Sequence, residues 1–383
     1  MTAALSRRSL LAAALATGAA VPLAGATPGR PAAAAPPRLT LPRPTGPHRI
    51  GTVDLHVVDR SRVDPVTGGH RELMASVWYP AGRDAVRHPL APMMPAAPLR
   101  ALLDSVGFGA DSATSPLTAG RQGAPVLRTR DRLPLILYSH GNDGYRAEAT
   151  IMVQELASHG YAVVTVDSTY DTYCQFHDGR VTVPSEVEGF TPWDHAHDVL
   201  SVLDRLEDSR RRPLPAGLGS ALDFRRMGMA GWSKGATATA LVMNLDRRVR
   251  AGLSLDGPLQ SNPPPEPLDR PFLLMTAEFS RAAEPSVEDY WHYHLHGWHL
   301  NLHATGAAHT AYIDHQWLIP QLARITGMSD EELTDWIGTL SPARAVRIQQ
   351  AYPLAFFDLH LRHRRQPLLE GPSRAFPEVE FIP

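Results

Sequence analysis

The chain has 383 residues, of which 43% are hydrophobic and 20% charged, and its formal net charge is −2. This is an ordinary composition for a globular protein with a sizeable core, and without long runs of like charge it does not favour a nucleic-acid partner. The single cysteine, Cys174, excludes an internal disulfide and any metal site built from several cysteines. No stable protein partner is indicated.

Residues 1–26 have the features of a signal peptide. A positive region containing Arg7 and Arg8 is followed by an Ala/Leu-rich stretch and a small-residue cleavage site. The arginine pair resembles the twin-arginine export motif, so we expect a secreted protein. The apolar stretch is interrupted by glycine and is shorter than the ~20 residues that a membrane-spanning helix needs. Residues 27–47 are rich in proline and alanine, and we expect a disordered linker there.

The predicted domain spans residues 48–383 and opens with an antiparallel hairpin. Residues 53–57 and 73–79 alternate between apolar and polar side chains, and turn-forming Asp, Pro and Gly residues separate them. Residues 81–132 are rich in Pro, Ala and Gly and contain one short helical patch. We expect this segment to be an excursion from the core that forms a rim or a lid.

The following part of the chain has the pattern of a parallel sheet. Residues 133–138 and 161–166 are near-continuous apolar runs separated by a helix-patterned stretch, which predicts a βαβ unit. A second helix is predicted to begin at Thr191 and Pro192. Further short strands are predicted at 227–232, 251–255, 272–276 and 299–303. The pattern predicts an α/β fold with a mostly parallel central sheet and helices on both faces.

The strongest chemical signal is the GxSxG pattern of Gly231, Trp232, Ser233, Lys234 and Gly235. It ends a predicted strand and opens a predicted helix, as the nucleophile elbow of an α/β-hydrolase fold requires. The two glycines allow the sharp turn that lifts the Ser233 hydroxyl above the sheet. The alternative is an ordinary glycine-rich turn before a helix, and the placement disfavours it. We therefore expect Ser233 to be a nucleophile.

A serine hydroxyl is a poor nucleophile until a base takes its proton. Of the 18 histidines, His309 is the predicted base because it follows the last predicted parallel strand, where the triad order Ser, Asp, His places it. His292, His294 and His296 alternate with aromatic residues, which is typical of one face of an extended segment or a loop. A metal site there is the less favoured alternative, because no familiar ligand spacing is completed.

Two acids compete to orient this histidine. Asp256 ends the strand after the nucleophile helix, and Glu278 ends the next strand. Both positions can reach an imidazole, so the pattern alone leaves them nearly even. The oxyanion hole needs two backbone donors, and we expect them to be the N–H groups of Lys234 and Asn142. The Lys234 side chain is expected to be solvated, with recognition of an anionic substrate as the alternative.

Together with these motifs, the chain resembles the platelet-activating-factor acetylhydrolases of the plasma and intracellular type II class, particularly their secreted bacterial relatives. The resemblance runs from about Gly51 to the C-terminus. The segments that carry it are 77–80, 138–142, 164–171, 231–235, 256–257 and His309 with Asp314. The resemblance implies that Asp256 rather than Glu278 is the triad acid, and it places the second oxyanion donor at Asn142.

The same resemblance implies hydrolysis of short or oxidised acyl chains from glycerophospholipids, transient contact with a lipid surface, and no metal or other cofactor. The elbow departs from the family's usual residues at Trp232, Lys234 and Ala236, so phospholipid specificity does not follow. A general secreted esterase or lipase, a polyester hydrolase or a dienelactone-hydrolase-like enzyme shares much of this pattern. A peptidase is a further alternative, because acyl transfer to water is the same chemistry for amides and esters. A non-catalytic binding protein of the same fold is the alternative from a different class, but it would normally lack a triad residue.

Overall fold

The computed structural model describes residues 35–185, 190–208 and 214–383. The predicted signal peptide, residues 1–26, lies outside these ranges, and so does the first part of the predicted linker. In the described ranges, no helix is both long enough and apolar enough to cross a bilayer.

A mixed sheet forms the centre of the fold. The described strands are β1 (Arg49–Val63), β2 (His70–Ala81), β3 (Leu90–Pro92), β4 (Leu117–Gln122), β5 (Leu133–Ser139), β6 (Ala162–Asp167), β7 (Cys174–Gln175), β8 (Val181–Thr182), β9 (Leu222–Trp232), β10 (Val249–Leu255), β11 (Phe272–Thr276), β12 (His299–Ala304) and β13 (Val379–Ile382). Eleven of these described strands form one sheet in the order β13-β12-β11-β10-β9-β5-β6-β2-β1-β4-β3, and β7 pairs with β8. The strands β6, β5, β9, β10, β11 and β12 pair in parallel. The predicted, mostly parallel central sheet is confirmed.

Helices cover both faces of this sheet. The described helices are α1 (Ala96–Ser105), α2 (Thr150–Ser158), α3 (Pro192–Glu207), α4 (Lys234–Leu245), α5 (Pro285–Tyr293), α6 (His315–Thr326), α7 (Asp330–Ile337) and α8 (Pro342–Arg362). Neighbouring residues of a strand point to opposite faces. In β5, Ile136 belongs to an apolar cluster with α2 and α8, whereas Leu137 belongs to one with α3 and α4. The prediction of helices on both faces is also confirmed.

Two local predictions are confirmed by backbone pairing and capping. The strands β1 and β2 form the expected antiparallel hairpin, with Leu55 opposite Ala75. The helix α3 begins where its sequence predicts, because Thr191 and Asp194 form a capping box and Pro192 is the first helical residue. The Thr191 N–H donates to the Asp194 carboxylate at 2.7 Å. The first turn of α3 is thereby fixed beside the carboxyl ends of the parallel strands.

Residues 81–132 are more than an excursion, because they extend the sheet and add to the core. The strand β4 pairs with β1, and β3 pairs with β4. Gly120 of β4 lies against the Trp78 ring, where an added Cβ would be 2.6 Å from a ring carbon. The helix α1 buries Leu99 in a cluster that includes Leu318 of α6. These contacts join the segment to the rest of the domain.

The expectation of disorder is wrong for residues 36–47. Leu39 is buried, and the Thr40 N–H donates to Gln321 Oε1 at 2.9 Å. The Thr45 N–H donates to Glu155 Oε2 at 2.7 Å. The Pro/Ala-rich composition predicts that the segment forms no helix or strand of its own. It cannot reveal contacts with residues more than a hundred positions away, and these contacts hold the segment in place.

Candidate active site

Ser233 lies at the sharp turn between β9 and α4. It is the residue before the first turn of α4, and its backbone has φ 54° and ψ −120°. A non-glycine residue in such a conformation costs about 1–3 kcal/mol, so it persists only where the surroundings enforce it. Gly231 and Gly235 permit this packing, since a Cβ on Gly231 would lie 2.0 Å from the Gly235 carbonyl oxygen. The turn has the geometry of a nucleophile elbow.

Asp256 and His309 meet beside this turn. His309 Nδ1 lies 2.7 Å from Asp256 Oδ2, and Asp256 is fully buried while the His309 side chain is 32% exposed. The Asp256 carboxylate also accepts the backbone N–H groups of Ala277 at 2.6 Å and Glu278 at 3.3 Å. A carboxylate fixed in this way can hold an imidazole in one tautomer and orientation.

Glu278, the competing acid, contributes its backbone N–H to Asp256 while its side chain is exposed. Potential ligand atoms of Asp256, Glu278 and His309 lie within 4.8 Å of one another, so these three residues could hold a cation. Asp256 Oδ2 is already the hydrogen-bond partner of His309 Nδ1, which a metal would have to displace. Within the described ranges, this group is the one cluster of three such ligands.

Trp232 connects the elbow to His309. Its Nε1–H donates to the His309 carbonyl oxygen at 2.8 Å, and the two rings lie with their centroids 4.6 Å apart. The imidazole is therefore held next to the residue that precedes Ser233. Ser233 and His309 both lie within the described ranges, and the Ser233 hydroxyl makes no hydrogen bond to His309 there. Hydrogen bonds between a nucleophile and its base are often long in ligand-free enzymes and shorten when substrate binds.

The loop after β5 lies against the elbow. An added Cβ on Gly141 would be 2.4 Å from the Trp232 ring and 3.2 Å from Ser233 Cβ. Asn142, the predicted second oxyanion donor, is the next residue in this loop. Its exposed side-chain amide donates to Asp143 Oδ2 at 2.8 Å.

Buried side chains hold this loop. His140 Nδ1 donates to the Gly141 carbonyl oxygen at 2.6 Å, and His140 Nε2 accepts the Ser168 N–H at 3.0 Å. Burial, with a smaller effect of the neighbouring His195, lowers the pKa of His140 to about 4, so the ring is neutral near pH 7. Glu148 Oε1 accepts the Gly141 N–H at 3.0 Å. Both backbone polar groups of Gly141 are thus bonded to buried side chains.

Lys234 differs from the expectation of a solvated side chain. Its Nζ donates to Asp171 Oδ2 and to the Phe190 carbonyl oxygen, each at 2.7 Å, and its side chain is 15% exposed. Asp171 also bonds the buried ring of His195, whose Nε2 lies 2.7 Å from Asp171 Oδ2. Asp171 ends the segment 164–171, which carries part of the family resemblance, but no motif gives Asp171 or His195 a role. The anionic partner could have been predicted from Lys234, because a cation at the first residue of a helix is destabilised by the helix dipole unless an anion lies nearby.

Asp314, one of the residues that carry the family resemblance, bonds the start of α2. It is fully buried, and its carboxylate oxygens accept the backbone N–H groups of Thr150 and Ile151, each at 2.9 Å. These are the first residues of α2, whose unpaired N–H groups favour an anionic partner. Asp314 therefore connects the segment after His309 to the start of α2.

Comparisons with known proteins identify relatives of the whole chain. The family described as platelet-activating factor acetylhydrolase, isoform II, matches residues 34–176. A probable 1-alkyl-2-acetylglycerophosphocholine esterase of Arthroderma benhamiae is 27% identical over 380 residues, which cover 92% of this chain and 96% of that protein. The structure of a ferulic acid esterase from Streptomyces cinnamoneus is similar with a TM-score of 0.74 and 33% identity, covering 89% of this chain and 98% of that chain.

The similarities to the two esterases extend over about nine-tenths of the chain and include the sharp turn at Ser233 and the mostly parallel sheet, whereas the family match ends at residue 176. The relatives named as esterases act on carboxylic esters, which is the chemistry that such an elbow serves. The protein is a carboxylic ester hydrolase of the α/β-hydrolase fold, and over residues 34–176 it is similar to the platelet-activating factor acetylhydrolase isoform II family.

Proposed function

We propose that the protein is a serine hydrolase that cleaves short acyl esters of phospholipids or similar lipids through an acyl-enzyme. Ser233 Oγ attacks the ester carbonyl carbon while His309 takes its proton, and Asp256 stabilises the resulting imidazolium. The backbone N–H groups of Lys234 and Asn142 stabilise the tetrahedral oxyanion. Collapse of this intermediate breaks the ester C–O bond, and the alcohol leaves with the proton from His309. Water then attacks in the same way and releases the carboxylic acid.

The observation that carries the proposal is the 2.7 Å contact between His309 Nδ1 and Asp256 Oδ2 beside the strained Ser233. Covalent catalysis by serine needs a base that is itself held by a third group. The competing use of the same residues is metal binding with Glu278. The triad needs no metal, so activity is expected to persist in EDTA.

The family and the Arthroderma relative support a lipid ester as substrate. The segment 81–132 supports a rim that contacts it. Phe108 from that segment lies against Trp336 of α7, with ring centroids 6.0 Å apart. The Trp336 carbonyl oxygen accepts the Thr310 hydroxyl at 2.8 Å, and Thr310 directly follows the proposed base, His309. Aromatic side chains next to the base offer an apolar surface for an acyl or alkyl chain.

A second candidate function is hydrolysis of aromatic acyl esters. It rests on the 33% identity to the Streptomyces cinnamoneus ferulic acid esterase over 98% of that chain. The two candidates share the reaction and differ in the acyl pocket. A comparison of kcat/KM on a 1-alkyl-2-acetylglycerophosphocholine and on methyl ferulate separates them. A higher value on methyl ferulate favours the second candidate.

The test of the triad proposal is Ser233→Ala. We expect kcat on p-nitrophenyl acetate to fall by about 10⁴-fold or more, because the covalent route is lost. A fluorophosphonate probe should label the wild type and not the variant. The matched control is Ser280→Ala, an exposed serine near the same sheet edge, which should keep full activity and labelling. A Ser233→Ala enzyme with more than about a tenth of wild-type activity would exclude Ser233 as the nucleophile.

We also propose that the protein is exported by the twin-arginine route. The support is the sequence of residues 1–26, with Arg7 and Arg8 before an apolar stretch. Replacing both arginines by lysine should leave the precursor inside the cell. Normal secretion of the Arg7→Lys, Arg8→Lys variant would reject this route.

A further inference from the structure

Asp171 contacts both segments that carry the proposed oxyanion donors. Its Oδ2 accepts Lys234 Nζ at 2.7 Å, and its Oδ1 accepts the Asp143 N–H at 3.4 Å. The backbone N–H of Lys234 is one proposed donor. Asp143 directly follows Asn142, which carries the other. A single carboxylate therefore joins the start of α4 to the loop after β5.

The ion pair with Lys234 is partly shielded from solvent. Asp171 is 4% exposed, and Lys234 Nζ has a second acceptor in the Phe190 carbonyl oxygen. Burial alone would raise the pKa of the Asp171 carboxyl, but the hydrogen bond from His195 and the charges of His195 and Lys234 lower it to about 2. The carboxylate is therefore ionised at neutral pH. It offsets the unfavourable position of a lysine at the positive end of the α4 dipole.

His195 extends the same connection to β5. Its Nε2 lies 2.7 Å from Asp171 Oδ2, and its Nδ1 lies 3.1 Å from the Ser139 hydroxyl. Both His195 and Ser139 are buried. Ser139 ends β5 and leads directly into the loop of Asn142. Asp171 is thus bonded, directly or through His195, to the beginning of that loop, to its middle and to the nucleophile helix.

We propose that Asp171 is a positioning residue that aligns the two backbone donors of the oxyanion hole. It acts through Lys234 and the loop of Asn142, and not on the substrate itself. The inference rests on the proposed function, because these N–H groups matter only if Ser233 forms a tetrahedral intermediate. Donors that are already aligned stabilise a developing oxyanion without reorganisation, whereas displaced donors lose part of that effect.

The test compares Asp171→Asn with the wild type on a soluble acetyl ester. Removal of one whole oxyanion donor typically costs about 10²–10³ in kcat, so a displaced donor is expected to lower kcat about ten-fold with KM changed less than about three-fold. A trifluoromethyl ketone forms an adduct with the serine whose oxyanion lies in the hole. Its inhibition constant should rise by the same factor as kcat/KM falls. A structural defect alone would not produce this match.

Lys234→Met provides a second variant, because it removes Nζ and keeps the backbone donor. We expect Lys234→Met to lower kcat and to raise the inhibition constant of the ketone, as Asp171→Asn does. The kcat of the double variant should be little lower than that of the more damaged single variant, because the two substitutions break the same contact. This variant also carries the test if Asp171→Asn does not fold. The matched control is Glu155→Gln, a buried carboxyl at the end of α2 that bonds His159 and Thr45 and should leave kcat unchanged.

Two failures are distinguishable in this experiment. A wild type that the fluorophosphonate probe does not label at Ser233 would overturn the proposed function. A labelled wild type together with an Asp171→Asn enzyme that keeps its kcat or its affinity for the ketone would overturn only the role of Asp171.

Discussion

Asp256 and Glu278 end neighbouring strands, but their carboxylates have different surroundings. The Asp256 carboxylate is fully buried, accepts two backbone N–H groups and bonds His309 Nδ1. The Glu278 side chain is exposed. A buried carboxylate bonded to the imidazole holds the productive tautomer and stabilises the imidazolium. An exposed carboxylate acts on the same ring through solvent, which screens its charge.

We therefore predict that Asp256→Asn lowers kcat by about 10³–10⁴, because the amide can hold the imidazole in the wrong tautomer. Glu278→Gln should lower kcat by less than about ten-fold. The measurement is kcat on a soluble acetyl ester near neutral pH, with circular dichroism to confirm that each variant is folded. If Glu278→Gln is the more damaged enzyme, the triad acid is Glu278, and the family resemblance is misleading at this position.

At the scale of elements, sequence patterns predict the long central strands well. The run at 133–138 is almost entirely apolar because β5 is buried on both faces, and that composition distinguishes it from a surface strand. The strands β3 and β4 are not predictable in this way. They have three and six residues and lie in a stretch rich in Pro and Gly, so too few positions exist for a periodic pattern. Their pairing depends on tertiary contacts with β1.

Two helices show other limits of pattern recognition. Patterns in the sequence predict no element after residues 299–303, yet α8 covers one face of the sheet with Tyr352 and Phe356. Pro353 lies inside α8, and a proline in a periodic stretch argues against a helix unless packing enforces it. The expectation of an extended segment or a loop is wrong for His292, whereas His296 does lie in the loop after α5. His292 belongs to α5, where its Nε2 lies 3.0 Å from Glu288 Oε1 one turn earlier.

The candidate site is predictable only where its residues follow a strand or belong to a motif. Ser233, Asp256 and His309 follow strands whose order along the chain is a property of the fold. Asp171 lies in the loop after β6, and Glu148 lies at the far end of the connection between β5 and α2. Only the folded chain brings their carboxylates to the Asp143 and Gly141 N–H groups. Their chemistry comes from burial and pairing, neither of which a local pattern contains.

At the scale of the whole molecule, two buried carboxyls beside the active site couple folding to pH. Glu148 and Asp314 are both fully buried. Burial raises the pKa of Glu148 to about 8, although hydrogen bonds from Tyr138 and Gly141 oppose the rise. Burial also raises the pKa of Asp314 well above its usual value. An unfolded glutamate loses its proton near pH 4.3, so the native protein holds a proton on Glu148 that the unfolded chain releases between about pH 4 and pH 8.

Because the native state binds this extra proton, raising the pH across that window favours the unfolded chain. Glu148→Gln keeps a carbonyl oxygen for the Gly141 N–H and has no proton to lose. We predict that the free energy of unfolding of the wild type, minus that of Glu148→Gln, decreases from about pH 5 to about pH 8, by at most about 1.4 kcal/mol per pH unit. Urea unfolding of both proteins at several pH values measures this difference. His140, with its lowered pKa, titrates in both proteins, so its contribution largely cancels. The Glu148 charge also raises the pKa of Asp314, so the loss of this coupling in Glu148→Gln changes the difference in the same direction. Parallel pH profiles for the two proteins would mean that native Glu148 gives up its proton as readily as the unfolded residue, and would contradict the prediction.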